Sequence, residues 1–230
     1  MLQSNRPTPQ DVARRAFALA VYMFRVSYEE QWANADEKDR QEFGEEVADM
    51  GDFLRSSKLS ESLSSNERIL FGRPLGKWHP SDVKQCGWRG ENLLVLLWAL
   101  KINDLPPIWQ LSSGVQNFAS ETADRWREFI DRASLHAKEE LEQMEGYVQS
   151  IRLREQTPDG FDGIPWLAQK ANEFGGAEPI EGDLTIDGRP FRLATKEQKS
   201  SIRSVALERH KALYWLLGYE VDLDAPDPEV

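Results

Sequence analysis

The 230-residue chain holds one cysteine, three histidines and no long apolar run. With only Cys86, an internal disulfide is excluded, and a structural zinc site would have to draw its other ligands from elsewhere. A buried, reduced thiol is the expected state. His79, His136 and His210 lack the i, i+4 spacing of a helix-borne metal pair, so neither a metal nor a cofactor is expected. Leu93 to Leu100 is the longest apolar stretch, and a membrane helix needs roughly 18 to 20 such residues. The opening segment MLQSNRPTPQDVARR has no basic part leading into an apolar one, as a secretory signal would. Base is also scarce: 28 Lys and Arg against 39 Asp and Glu leave a net charge of -11, which repels phosphate backbones and anionic lipid surfaces. The expectation is a soluble, cytoplasmic protein that binds neither nucleic acid nor membrane and whose acidic surface suits a basic protein partner.

Catalytic signatures are missing too. No glycine-rich phosphate loop ends in lysine and serine or threonine, and GGAEPIEGD has the glycines without that ending. No G-x-S-x-G occurs, and LSSGV around Ser113 has only the composition of a turn. DGFDG and DLDAPD offer carboxylates without the spacing of a calcium loop.

What the sequence does contain is helical periodicity. Thr8, Pro9 and Asp11 form a helix start, and Val12, Ala16, Leu19 and Met23 follow at helical spacing. Phe43, Val47, Met50 and Leu54 predict a second amphipathic helix with acids on its other face. Ser64 with Glu67 forms a capping box for a short helix that Gly72 and Pro74 end, and GRPLGKWHPSD then reads as a loop. Ala123, Trp126, Ile130 and Ala133, then Ala137, Leu141, Met144, Val148 and Ile151, predict two helices or one bent helix. The segments around 157–163 and 175–182 carry turn signals. Asp187-Gly188 supplies the tight turn of a hairpin at about 183–193, with Leu184, Ile186, Phe191 and Leu193 as apolar arms. Thr195 and Gln198 cap a last helix that runs to Leu217 and stops at Gly218. The expected fold is mainly α: a single domain over 1–230 with one small β-hairpin before the C-terminal helix and a loose acidic tail at 221–230.

Two helices mix charge with apolar residues. In WRGENLLVLLWAL the apolar positions surround the helix, which marks it as a central, buried rod. Glu91 shares a stripe with Leu94, Val95 and Trp98, whereas Arg89 faces elsewhere. In SIRSVALERHKALYWLLGY, Ile202, Val205, Ala206, Leu213 and Leu216 gather on one side, with Arg209 in their midst, His210 at the edge and Glu208 pointing roughly the opposite way from Ile202. A guanidinium among aliphatic groups is costly unless a carboxylate satisfies it, and Glu91 is the predicted partner of Arg209.

At these segments the chain resembles the bacterial domain-of-unknown-function family 4272. RPTPQDVARRAFALA near the start, GWRGENLLVLLWAL with LPP behind it, and ALERHKALYWLLGY near the end carry the resemblance. It places Trp88, Arg89, Glu91, Glu208, Arg209 and His210 at the positions of the family's two polar motifs. Where the family commonly has a tryptophan-aspartate pair and an acidic-threonine end, this chain reads Leu223-Asp224 with no threonine after it. The resemblance implies a fold and a frame of residues, without a chemistry.

Two functional readings follow. One is a non-catalytic accessory or protein-binding factor; the other is an enzyme that holds a small anionic substrate through Arg89, Glu91, Glu208, Arg209 and His210. Trp78, Trp88, Trp109 and Trp166 stand beside loops or prolines, where aromatic rings can line a groove or pin irregular segments.

Overall fold

The computed structural model describes residues 6–110, 118 and 122–219, and these are mainly helical, with one antiparallel hairpin. Sequence-encoded caps set several helix starts. Helix α1 (Pro9–Trp32) opens where Thr8 Oγ1 accepts from the Asp11 N–H at 3.2 Å and the Asp11 carboxylate accepts from the Thr8 N–H at 3.0 Å. Helix α2 (Glu37–Ser56) follows, then α3 (Ser65–Phe71), capped reciprocally by Ser64 and Glu67. Helix α4 (Pro80–Gly87) begins inside the segment expected to be loop, because His79 caps it and Pro80 at its first position already has helical φ. Helix α5 (Arg89–Ala99) continues directly from it.

Helices α6 (Trp126–Asp131) and α7 (Lys138–Gln156) are separate, so the open choice between two helices and one bent helix resolves as two. Helix α8 (Ile164–Glu173) was not foreseen; it sits between the two turn-rich stretches and buries Ile164, Leu167, Ala168 and Ala171 at the i, i+3, i+4, i+7 spacing. Strands β1 (Thr185–Ile186) and β2 (Arg189–Pro190) pair as Thr185↔Pro190 and Ile186↔Arg189. Asp187 and Gly188 take φ of 50° and 71°, as the hairpin turn requires. The arms are shorter than expected: Phe191–Leu193 coils into a 3-10 turn that buries Phe191 and leaves Leu193 64% exposed. Helix α9 (Lys196–Leu217) has the expected Thr195–Gln198 capping box and ends at Gly218 with φ 77°. The acidic tail at 221–230, with Leu223-Asp224, and the turn around Ser113 lie outside the described residues.

Packing makes α5 the axle. Every residue of it except Trp98 is buried, and it lies against α1 on one side and α9 on another. Helix α9 in turn packs on α7, and α7 on α8. One continuous apolar cluster therefore runs from Val12 and Leu19 through Leu93 and Leu96 to Val205 and Leu213. Each buried leucine contributes roughly 1.5–3 kcal/mol relative to exposure. By contrast, α2 buries only Gly51 and Leu54, and its Phe43, Val47 and Met50 stay half-covered.

Candidate functional site

Glu208, Arg209 and His210, in the middle of α9, are all buried, because α9 is covered by neighbours on more than one side. Arg209 Nε donates to Glu91 Oε2 at 2.8 Å, and Arg209 Nη1 donates to the Pro106 carbonyl at 2.6 Å. The predicted pair is present, with both side chains nearly inaccessible. Glu91 also sits in the first turn of α5, where the helix dipole favours an anion. Arg209 Nη2 meets no acceptor among the described residues.

Glu208, on the side of α9 away from Ile202, also meets α5: Arg89 Nη1 donates to Glu208 Oε2 at 3.3 Å and Asn92 Nδ2 donates to the same oxygen. Arg89 also meets a second carboxylate: its Nε lies 3.6 Å from Glu67 Oε1. Glu67, read from sequence only as a cap, is thus the hub of a buried network. Arg15 from α1 grips it with Nη1 to Oε2 at 2.5 Å and Nη2 to Oε1 at 2.8 Å. Burial alone would raise the Glu67 carboxyl, but Arg15 and Arg89 outweigh it and hold the group at about 2. Arg15, Glu67, Arg89 and Glu208 therefore alternate in sign across α1, α3, α5 and α9, and Lys211 continues the series at the surface, 3.3 Å from Glu208 Oε1.

His210 faces the other way, toward α7. Its Nδ1 accepts from Arg152 Nη1 at 2.6 Å, which leaves the ring proton on Nε2, 3.3 Å from Glu145 Oε1 but poorly aligned for a hydrogen bond. Tyr214 packs on the ring at 4.3 Å between centroids. The five sequence candidates thus form two adjoining groups: Arg89, Glu91, Glu208 and Arg209 on the α5–α9 seam, and His210 on the α7–α9 seam. Arg15, Glu67, Asn92 and Arg152 complete them and were missed, since partners 22 to 119 positions away leave no local signal.

The four tryptophans do not share one groove. Trp78 is a correction: it is buried, donates from Nε1 to the Leu70 carbonyl at 2.9 Å and carries the Arg25 guanidinium 4.9 Å above its ring. Trp88 is half-buried at the α4–α5 joint, and Trp166 is 61% exposed on α8. Trp109 alone of the four lines the cavity between the hairpin and the start of α9. Two other cavities lie against α6, one facing the start of α1 and one facing the end of α5. Arg89, Glu91, Glu208, Arg209 and His210 line none of these three.

Among the described residues, no cluster of His, Cys, Asp and Glu could hold a metal ion. Cys86 is buried, accepts from Tyr22 Oη at 3.0 Å, and burial raises its thiol above the ordinary value. No helix among the described residues is long and apolar enough to cross a membrane.

The family model described as a domain of unknown function, DUF4272, matches residues 3–156. The chain belongs to this family. The match includes the α1 and α5 segments that carry the resemblance, while the Glu208-Arg209-His210 segment of α9 lies beyond it. No curated protein and no solved structure matches the chain.

Proposed function

We propose that the protein is a non-catalytic accessory factor that binds another protein through a basic surface on that partner. One observation carries this reading: among the described residues the interior has no acid excess. Six arginines are buried there against five carboxylates, so the surplus behind the net charge of -11 lies outside that buried set. On α2 alone, exposed Glu37, Glu42, Glu45, Glu46, Asp49 and Asp52 present it to solvent. Such a field steers a basic protein and rejects nucleic acid. The Arg/Glu cluster lines none of the three cavities described above, and in this reading its charges hold helices together. This reading places the protein in the cytoplasm.

Affinity capture from a native extract tests it. A stoichiometric basic protein that is released at about 1 M salt, where the screening length falls to about 3 Å, is the expected outcome. Recovery of no salt-sensitive partner contradicts it. A second reading, an enzyme acting on a small anionic substrate, draws on the placement of His210 between Arg152 and Glu145. Soaking with phosphate or acetate and finding density against Arg152 and His210 would favour that alternative.

A further inference from the structure

Upstream of the buried triplet, α9 forms one wall of an open groove whose other wall is the hairpin. Ile186, Pro190 and Ile202 are buried in its lining, Trp109 is half-buried at its side, and Leu193 stands 64% exposed on its rim. Few large apolar side chains of this protein are as open to water, and this one borders a concave apolar surface. The groove has a volume of about 310 Å³, at the bottom of the roughly 300–1,000 Å³ range of ligand pockets. That is room for one or two side chains rather than for a nucleotide or a large cofactor.

Its mouth is acidic. Asp187 stands at the hairpin tip and Glu197 in the first turn of α9, against a single cation, Arg189. None of the three forms an ion pair with another described residue. Hydrogen bonds from the Glu197 N–H and the Thr195 side chain hold the Glu197 carboxyl below the usual range, so it stays anionic. An apolar floor under an acidic rim complements a short segment that carries a bulky apolar residue flanked by cations.

We infer that this groove docks an extended segment of a basic partner protein, seating one large apolar side chain against Trp109, Ile186 and Ile202 with Lys or Arg beside it facing Asp187 and Glu197. The assignment rests on the protein-binding reading and gives that reading a place and a chemistry.

The test is titration of the ¹⁵N-labelled full chain with three capped peptides: Gly-Arg-Trp-Arg-Gly, Gly-Glu-Trp-Glu-Gly and Gly-Arg-Gly-Arg-Gly. The first is expected to move the Trp109 indole N–H signal saturably, and the other two to bind at least about tenfold more weakly, a difference of about 1.4 kcal/mol. Ser201→Trp, which fills the groove, should abolish the shift. Asp187→Asn with Glu197→Gln should remove the preference for arginine over glutamate; Asn is well suited to the positive φ at 187, so this variant decides the matter even if Ser201→Trp folds poorly. No saturable shift, or equal binding of the glutamate peptide, overturns the assignment. Capture of a basic protein that survives Ser201→Trp would leave protein binding standing and remove the groove from it; absence of any partner for the native chain would instead remove the broader reading.

Discussion

The two stretches of α9 use charge in opposite ways. At its start, Glu197 lies in water beside an open groove; at its middle, Glu208 and Arg209 lie in a dry seam, each met by a group on α5. The residue types are alike, and neighbouring helices decide the outcome. Where α5 and α7 cover α9, every charge must find a partner, because a lone buried ion costs several kcal/mol. Beside the open groove, where Glu197 is exposed, the charge remains available to a partner molecule. Burial thus turns acids and bases into structure, and exposure leaves them free for recognition.

Breaking the buried half gives the largest expected effect. Arg209→Met alone breaks the buried ion pair with Glu91 from one side and should cost about 3–5 kcal/mol, or roughly 10 °C in Tm for a chain of this size, as read by thermal unfolding. Second is the pH response of the Glu67 hub. Its carboxyl is held at about 2, below the unfolded value of 4.5, so its contribution is complete above pH 4.5 and is lost as pH falls toward 2. About 3 kcal/mol of stability should disappear across that window. Urea unfolding measured against pH should show the loss in the native chain, and Glu67→Gln should flatten the curve at the cost of lower stability at neutral pH. A native chain with no acid sensitivity between pH 4.5 and 2 would contradict this assignment.

At the hairpin, Gly188→Ala forces a side chain into φ 71° with open space around it, so the effect is confined to the backbone. A cost of about 1 kcal/mol is expected by chemical denaturation. The smallest effect sharpens the other half of the comparison. Leu193→Ser, on the groove rim, should leave stability within about 0.5 kcal/mol while weakening the Gly-Arg-Trp-Arg-Gly peptide in the same titration. A large loss of stability there would mean that the rim is part of the core.

Much of the scaffold was legible because local rules write it. The capping boxes at Thr8, Ser64 and Thr195, the Asp187-Gly188 turn and the Gly218 stop each depend on residues within a few positions. The Arg209–Glu91 pair was also legible, since an arginine amid Val205, Ala206 and Leu213 demands an acid and α5 offers one at its first turn. The partners of Glu208 were not legible, because a wheel gives its direction relative to Ile202 but not that Arg89 and Asn92 on α5 lie there. Arg15 and Glu67 went unseen as partners because α1 and α3 meet through the fold, not through any spacing. Helix α8 escaped for a different reason: its i, i+3, i+4, i+7 pattern spans a single short helix set between turn-rich segments.

The account turns on whether the α5–α9 charges serve as structure. A double-mutant cycle of Glu91→Leu and Arg209→Met, followed by urea unfolding, measures this directly. Each single change should destabilise by several kcal/mol, and the double variant, with apolar groups facing each other, should regain most of that loss and remain folded. Single variants as stable as the native chain, or a double variant whose loss equals the sum of the two, would contradict it.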